Sequence, residues 1–219
     1  MVETSAGSGG EAMAGALLTQ DRALFALERR MRDLTRAAGG AAAEAAAYHL
    51  DAGGSRVRAR LALDAGAALG LDAEARLSIA AGCELLHNAS LIHDDLQDKD
   101  PVRRGREAVW ARYGADMAVC AGDLMISAAY AALAGAGPRA GALIAHAHAR
   151  VAAVIAGQCL DLDPGAARAD AQAYERIAAG KSGPLLSLPL ELVLMASGRE
   201  DRVEAAACAA EHFAIAYQI

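Results

Sequence analysis

Long alanine-rich segments, separated by short glycine and proline marks, constrain the fold of this 219-residue chain more than any other feature. Alanine has the highest intrinsic helix propensity. It supplies most of the 55% hydrophobic content, since aromatic residues make up only 4%. No segment alternates apolar and polar residues as a half-buried strand does, and no internal repeat is present. The pattern predicts one all-α domain, with helices over residues 19–38, 41–51, 55–69, 73–98, 107–113, 115–134, 138–162, 170–181, 184–197 and 200–219.

The two ends of the chain differ in character, although its length suits one domain with a substantial core. The first residues, MVETSAGSGGEA, lack the basic and apolar regions of a signal peptide, so residues 1–18 are predicted to be a flexible leader. The helical domain is predicted over residues 19–219. The last helix reaches Ile219 without a capping residue or a glycine, which indicates that the C-terminal part of the domain is absent.

Charge and cysteine content exclude several classes of protein. The formal net charge of −6 argues against a general nucleic-acid binder, which needs a basic surface. The four cysteines lie far apart, without the spacing of a zinc site, and are typical of buried thiols in a reducing cytoplasm. No apolar run is expected to reach the roughly 20 residues of a membrane span, so no transmembrane segment is predicted.

The stretch SLIHDDLQDKDPVRRG, residues 90–105, concentrates opposed charges at the end of the helix predicted over residues 73–98. Asp94 and Asp98 are four residues apart, so their carboxylates stand one turn apart on one face, with Asp95 beside them. Like charges at this spacing repel, and the helix dipole disfavours anions near a C-terminus. A divalent cation removes both penalties, and oxygen ligands suit Mg²⁺, which also binds phosphate oxygens. The pattern therefore predicts a magnesium-dependent phosphate or diphosphate site.

A solvated acidic helix end, paired with Arg103, Arg104 and Arg106, is the alternative interpretation of this stretch. Three features favour a ligand site. The apolar residues just before Asp94 place the acids against an apolar wall, and His87 lies on the same helix face about 10 Å along the axis. The two arginines at Arg103 and Arg104 present planar guanidinium groups, which match phosphate oxygens.

Five motifs, in order along residues 50–219, resemble those of the trans-isoprenyl diphosphate synthases, the polyprenyl synthetase family. They are GGSRVRA at 53–59, ELLHNASLIHDDLQDKDPVRRG at 84–105, GQCLDL at 157–162, KSG at 181–183 and FAIAYQI at 213–219. The resemblance implies an isoprenoid synthase type I helical bundle around a central cavity. It also implies that an allylic diphosphate ionises with help from Mg²⁺ and condenses with isopentenyl diphosphate.

The same resemblance assigns roles to individual residues. Asp94, Asp95 and Asp98 are expected at the metal, and Arg103 at the allylic diphosphate. Isopentenyl diphosphate is expected to meet Arg56, Arg58, His87 and Arg104. Lys181 is expected at the allylic diphosphate, and the carbonyls of Lys181 and Ser182 at the carbocation. Gln158 and Gln218 are expected near the reacting carbon, with Asp161 behind Lys181. Each has a structural alternative: His87 as a core histidine, Gln158 and Asp161 as a helix-end polar patch, and Lys181 as a helix cap.

The sequence departs from the family pattern at two places within these motifs. Ser55 stands where the family has a lysine, so one cation for isopentenyl diphosphate is missing. The loss of such a contact weakens binding by about 1.5–3 kcal/mol unless Arg56 substitutes for it. Glu107 and Ala108 replace the usual Pro-Thr after the arginines, and the acid either reduces their field or points away. The second aspartate-rich motif is also expected only beyond Ile219.

Small residues before the acids bear on product length. In the resembling family the product grows past the turns preceding Asp94, where a bulky aromatic stops it early. Ala89 and Ser90 are small, which implies geranylgeranyl diphosphate or a longer product. Leu86 and Cys83, further up the same helix, are the next residues expected to limit chain growth.

Oligomeric state and function each keep alternatives. The apolar segment 115–134 predicts either a homodimer interface or ordinary core burial. A class I terpene cyclase and a non-catalytic partner subunit of a prenyl synthase are the alternative functions. The arginine pair and GGSRVRA argue against the cyclase, whereas Ser55 and Glu107 favour the partner subunit.

Overall fold

Helices and one short hairpin make up the part of the chain that the structure, a computed structural model, describes. It describes the backbone of residues 8–162 and 171–218, and the side chains of residues 21–162, 180, 183–210 and 212. The elements are α1 (Ser8–Arg36), α2 (Gly40–Leu50), α3 (Val57–Ala68), α4 (Ala73–Asp98), β1 (Val102–Arg103), β2 (Arg106–Glu107), α5 (Val109–Tyr113), α6 (Ala115–Ala134), α7 (Ala140–Asp161), α8 (Ala171–Ala196) and α9 (Val203–Gln218). The prediction of an all-α fold is confirmed.

Helix α4 is the central element, and it packs against α6 along much of its length and against α3, α8 and α1. Asp72 caps its first turn, accepting a hydrogen bond from the Ala75 N–H at 2.8 Å. Small residues allow close approach: a Cβ on Gly82 would meet the Leu133 side chain of α6 at 2.7 Å. Because the middle of α4 is buried on all sides, its last turn is held rigidly and carries the three aspartates.

Helix α8 is continuous, so the break predicted at Gly183 and Pro184 is wrong. A proline inside a helix removes one main-chain hydrogen bond and usually bends or ends the helix. Pro184 leaves the carbonyl of Gly180 without its helical N–H donor. The helix nevertheless continues, because α8 packs against α7, α9, α3 and α4.

Helix α1 begins at Ser8, well before the start predicted at residue 19, so the segment expected to be a leader is partly helical. From Leu27 onward this helix contributes core residues, with Leu27 and Met31 fully buried. Its acidic side also reaches the core, because Glu28 pairs with Arg56 of the loop before α3. The N-terminal helix therefore contributes to the scaffold behind the candidate site.

Two helices, α6 and α7, are long and apolar enough to cross a membrane by length and composition alone. By itself this is weak evidence for a membrane span, so it does not overturn the prediction that the chain has no transmembrane segment. Core helices of soluble proteins meet the same criterion. One side of α6 is in the core, where Ala121, Met125 and Leu133 are fully buried. Within the most apolar 18 residues of each helix, 44% of α6 is buried, compared with 17% of α7.

Candidate active site

The last turn of α4 presents the predicted metal residues in three different environments. Asp98 is exposed, Asp94 is half-buried and contacts other groups, and Asp95 is 1% exposed. The helix ends at Lys99, which has a left-handed backbone with φ of 60°. Asp94 and Asp98 share one face as predicted, whereas Asp95 points into the protein.

Asp95 is tied to the predicted allylic-diphosphate residue. Its Oδ1 accepts hydrogen bonds from both Nε, at 2.8 Å, and Nη2 of Arg103. The carboxylate raises the pKa of Arg103, chiefly through this hydrogen bond. The other oxygen of Asp95, Oδ2, is buried without a hydrogen-bond partner. Asp95 therefore holds Arg103 in place, and its expected position at the metal stays a prediction.

Arg104 occupies the tip of the hairpin formed by β1 and β2. Arg103 pairs with Arg106 across the two strands, which leaves Arg104 and Gly105 as a two-residue loop with φ of 52° and 76°. Positive φ at both positions is the type I′ turn that suits the twist of a tight hairpin. Glycine adopts such a conformation without cost, whereas for Arg104 it is unfavourable by about 1–2 kcal/mol.

The Gly53-Gly54 loop receives the Arg104 side chain. Arg104 Nη1 donates to the carbonyl of Gly53, and a Cβ on Gly54 would meet the Arg104 guanidinium at 2.9 Å. Only glycine leaves room for the guanidinium to lie flat against the main chain at this point. The structure thus brings together two of the sequence motifs, the glycine pair and the arginine pair, which are about 50 residues apart in the chain.

Arg56 is part of the scaffold in this structure. Its side chain is 5% exposed, its Nε donates to Glu28 at 2.7 Å, and Nη1 lies 3.5 Å from Glu84. A guanidinium enclosed by two carboxylates does not replace the cation missing at Ser55, which is exposed. The expected contact between Arg56 and isopentenyl diphosphate stays a prediction, and this position argues against it.

Arg58 and His87 keep positions that fit their expected role. Arg58 donates its Nε–H to the carbonyl of Leu185 at 3.0 Å, and burial lowers its pKa. His87 is half-buried on α4, and burial, followed by the charges of Arg58 and Arg104, lowers its pKa to about 2. Three cationic or hydrogen-bonding side chains from three different segments therefore act on one another electrostatically.

A buried polar network behind these residues was not predicted from the sequence. His49 Nε2 lies 3.2 Å from Asn88 Oδ1, and Asn88 Nδ2 donates to the carbonyl of Glu84 at 2.7 Å. Glu84, 2% exposed, also accepts from the Ala59 N–H at 3.1 Å. Burial, followed by the charge of Arg104, lowers the pKa of His49 to about 4. The available signal was the presence of three polar residues, Glu84, His87 and Asn88, within an otherwise apolar part of the helix.

Helix α7 brings Gln158 to the end of α4. Gln158 is 9% exposed, and its Nε2 donates to Gln97 Oε1 at 2.9 Å, next to the exposed Asp98. Asp161, one turn further, is exposed and contacts another group. The side chains of Lys181, Ser182 and Gln218 lie outside the described residues, although their backbones belong to α8 and α9.

The residues expected to limit product length lie along the buried part of α4. Leu86 is 3% exposed, Ala89 is 1% exposed, and Cys83 is 1% exposed. Ser90 is half-buried and donates its hydroxyl to the carbonyl of His87 at 2.8 Å. Their role in product length stays a prediction.

A second polar cluster, between α7 and α8, was also missed. Glu191 is fully buried, with Oε2 2.6 Å from His146 Nε2 and Oε1 3.2 Å from Arg150 Nη2. Arg150 Nη2 also donates to the Ser187 hydroxyl at 2.9 Å. No sequence motif marks this cluster, because His146 and His148 lie on opposite faces of α7 and Glu191 is a single acid inside the apolar segment LPLELVLM.

The acids of α4 fit a magnesium ion by their chemistry. Among the described residues no group of three or more acids, histidines or cysteines lies together as a ready-made metal site. Asp94 and Asp98 offer two carboxylates on one face, and Mg²⁺ is typically held by one or two carboxylates together with waters and phosphate oxygens. The donor set therefore suits an ion shared with a phosphorylated ligand, with Asp94 and Asp98 as the protein ligands.

These features define what the arrangement can do. Carboxylates at the end of α4 face the region of the arginine hairpin, and Arg58, Arg104 and His87 converge from other segments. Guanidinium groups and metal-binding carboxylates together bind polyanionic phosphates, and they stabilise the charge that develops when such a group leaves.

Comparison with known proteins agrees with this geometry. The model of the polyprenyl synthetase family matches residues 41–219. The chain belongs to the polyprenyl synthetase family. A (2E,6E)-farnesyl diphosphate synthase of Mycobacterium bovis is 34% identical over 170 residues, which cover 76% of this chain and 47% of that protein.

Solved structures give the same result. A geranyltranstransferase of Thermotoga maritima matches with a TM-score of 0.78 and 29% identity, covering 88% of this chain and 73% of that chain. A geranylgeranyl pyrophosphate synthetase of the archaeon Geoglobus acetivorans matches with a TM-score of 0.82 and 25% identity, over 91% and 67% of the two chains. The expected isoprenoid synthase fold is confirmed. The chain spans about half the length of the curated relatives it matches.

Proposed function

We propose that this protein is a prenyltransferase that joins an allylic diphosphate to isopentenyl diphosphate. The observation that carries the proposal is the contact of Arg104 with the Gly53-Gly54 loop. This contact brings the arginine hairpin to the segment that carries Arg58, beside His87 on α4. The names of the similar proteins, farnesyl and geranylgeranyl diphosphate synthases among them, support the same substrate class.

Isopentenyl diphosphate is the proposed ligand of Arg58, Arg104 and His87. Both guanidinium groups are partly desolvated, which strengthens their attraction for an anion. His87 is neutral before the ligand arrives, because its lowered pKa keeps it unprotonated, and it can donate one N–H to a diphosphate oxygen. The binding site needs no lysine at Ser55 if these three groups suffice.

The allylic diphosphate is the proposed ligand of Arg103, which Asp95 holds in position. Asp94 and Asp98 would hold Mg²⁺, which neutralises the charge of the leaving diphosphate. Arg103 would contribute a fixed positive charge at the same group, and the apolar interior around α4 would exclude water from the carbocation. The proposed site around the reacting carbon is completed by Lys181, Ser182, Gln158, Asp161 and Gln218.

The proposed product is geranylgeranyl diphosphate or longer. Support comes from the small side chains at Ala89 and Ser90, just before the acidic turn. No aromatic residue stands at these positions to stop a growing chain. Leu86, about one turn nearer the N-terminus of α4 and buried, is the proposed next limit on the growing chain.

The test incubates the full-length protein with labelled isopentenyl diphosphate, Mg²⁺, and C5, C10 and C15 allylic diphosphates. Extended linear diphosphates support the proposed reaction, and products of C20 or longer support the proposed product length. Cyclic hydrocarbons would indicate a terpene cyclase instead. No turnover, but turnover after mixing with a second prenyl synthase chain, would indicate a partner subunit.

We also propose that the protein is a cytoplasmic homodimer. Helix α6 exposes Val119, 44% accessible, and Cys120 on the side away from the core, which leaves room for a second copy there. All four cysteines are free, as in a reducing compartment. Light scattering on wild type and Val119→Glu tests the dimer, and cell fractionation tests the location.

A further inference from the structure

Tyr48, near the C-terminal end of α2, contacts the arginine hairpin in several ways. Its hydroxyl donates to the main-chain carbonyl of Glu107 at 3.0 Å. The guanidinium groups of Arg106 and Arg112 lie over its ring, 4.3 Å and 4.6 Å from the centroid. The ring of Tyr113 packs edge-on against it at 5.5 Å. Tyr48 therefore connects α2 to strand β2 and to α5 at one place.

The hairpin needs support from outside its own strands. Each strand has only two residues, and an isolated two-stranded hairpin is at best marginally stable in water. Its turn also holds Arg104 in the unfavourable left-handed conformation. Near its base, the Ala108 N–H donates to the carbonyl of Pro101 at 2.8 Å, and Trp110 Nε1 donates to that of Asp100 at 2.8 Å. These bonds close the base but do not fix where the tip points.

The end of α2 reaches both ends of the hairpin. Tyr48 holds the strand that leaves the turn, and Gly53, just after the same helix, accepts a hydrogen bond from Arg104 at the tip. The two contacts act together, because a short rigid body is oriented only when it is held at two separated points. The Glu107 side chain adds to this, since its Oε2 lies 3.7 Å from Arg112. The acid thus offsets part of the repulsion between Arg106 and Arg112 over one ring.

We propose that Tyr48 is a positioning residue, which orients the Arg103-Arg104 hairpin for diphosphate by clamping strand β2 to helix α2. The proposal rests on the proposed diphosphate-binding function of the hairpin. Tyr48 does not itself touch the substrate. It acts through the carbonyl of Glu107 and through Arg106, and so fixes the direction of the Arg104 guanidinium.

Two substitutions separate the parts of the clamp. Tyr48→Phe removes the hydrogen bond and keeps the aromatic platform, whereas Tyr48→Leu removes both. Tyr130→Phe is the matched control, because Tyr130 is a half-buried tyrosine of α6 that packs on the core. All variants are made in the full-length protein, and circular dichroism melting identifies any that fail to fold.

The first measurement is hydrogen exchange by mass spectrometry over residues 100–108, together with acrylamide quenching of Trp110, the only tryptophan in the chain. We expect Tyr48→Phe to accelerate exchange in this peptide about 2- to 10-fold, the range for one net hydrogen bond. Tyr48→Leu should exceed tenfold, since the cation–π contacts are lost too, and should raise the quenching of Trp110. The control should match wild type in both.

The second measurement is the affinity for inorganic pyrophosphate with Mg²⁺ by calorimetry, and the KM for isopentenyl diphosphate. Both should weaken by similar factors in the Tyr48 variants, while kcat at saturating substrate changes less than threefold. Unchanged exchange in both Tyr48 variants overturns the clamp. Faster exchange with unchanged pyrophosphate affinity overturns its role in binding.

The exchange result stands apart from the proposed function. If wild-type protein neither binds pyrophosphate nor extends a prenyl chain, the diphosphate function fails and the role of Tyr48 in binding fails with it. Accelerated exchange confined to residues 100–108 would in that case still confirm the mechanical clamp between α2 and β2.

Discussion

Arg58 donates its Nε–H to the main-chain carbonyl of Leu185, at 3.0 Å. Leu185 precedes Pro189 by four residues, and proline has no N–H to donate to that carbonyl within the helix. The proline therefore leaves an acceptor on α8 that the arginine of α3 can use. An irregularity in one helix thus orients a proposed substrate-binding side chain on another.

Replacement of Pro189 by alanine should change stability and affinity in opposite directions. The new N–H can bond to Leu185, and the loss of an interior proline should stabilise the helix by up to about 3 kcal/mol. Arg58 should then be held less firmly, so the KM for isopentenyl diphosphate should rise a few-fold. Thermal melting and steady-state kinetics measure the two effects.

Pro184→Ala is the control, since the carbonyl four residues before it belongs to Gly180 rather than to the partner of Arg58. Equal changes in KM for both variants would contradict the prediction.

Acid should destabilise the protein through two histidines, the buried His49 and the half-buried His87. The pKa values of His49 and His87 are lowered to about 4 and about 2, chiefly by burial, so the folded protein binds fewer protons than the unfolded chain below pH 6.5. Their contribution to stability is complete above pH 6.5 and is lost as pH falls towards the folded pKa. The slope should approach about 1.4 kcal/mol per pH unit for each histidine. Urea denaturation between pH 7.5 and 4.5 measures it.

A variant of His49 tests how much of that pH dependence this histidine causes. His49→Gln should remove part of the slope, because glutamine can still bond Asn88 but does not titrate. His148→Gln, at an exposed position of α7, is the matched control and should retain the full slope. If all three proteins have the same slope, His49 is not a cause of it.

Asp95 and Asp98 should behave differently when each is changed to asparagine. Asp95→Asn removes a charge-assisted bond to Arg103 from a buried position and should lower stability by about 1–3 kcal/mol. Asp98→Asn, at an exposed position, should leave stability within about 0.5 kcal/mol but weaken Mg²⁺-dependent binding of pyrophosphate. Thermal melting without metal and calorimetry with Mg²⁺ provide the two readouts. An equal loss of stability in both variants would contradict the assignment of Asp95 to the scaffold.

The sequence predicted the fold and several element bounds well, for reasons that are local. The bounds of α4 and α6 match those predicted, because Asp72 caps one helix and Gly114 and Gly135 flank the other. The grouping of the glycine pair with the arginine pair also followed from the family resemblance. The prediction failed at Pro184, where the packing of α8 against its neighbouring helices keeps it continuous.

The remaining features of the site depend on side-chain partners that no spacing rule specifies. The pairing of Arg56 with Glu28 joins residues that are far apart in the sequence, so its role as scaffold was not visible. The direction of Asp95 was equally hidden, because helix periodicity gives its angle but not the arginine that meets it. Tyr48 carried no motif of its own and became visible only through its contact with Glu107.

Loss of the buried Glu191 should cost far more than loss of a surface acid. Glu191 lies between His146 and Arg150 with no exposed surface, and its removal leaves both side chains without their shared partner. Because both partners are about a quarter exposed, we expect Glu191→Ala to lower the free energy of unfolding by about 3 kcal/mol, the lower end for buried pairs. Glu200→Ala breaks an exposed pair with Arg139 and should cost at most about 1 kcal/mol. Urea denaturation of both variants measures the difference, and similar values would contradict it.

Ala89→Phe should shorten the product if the chain grows along α4 as proposed. Ala89 is 1% exposed and lies five residues before Asp94, so a phenyl ring there fills space beneath the acidic turn. Overpacking should lower the free energy of unfolding by about 1–3 kcal/mol. Thermal melting checks that the variant still folds. Chromatography of labelled products should then show a shift from C20 or longer to C15 or C10. Ala131→Phe, on the exposed side of α6, is the matched control and should leave the distribution as in wild type. An unchanged distribution in a folded, active Ala89→Phe enzyme would mean that the growing chain follows a different path through the helices.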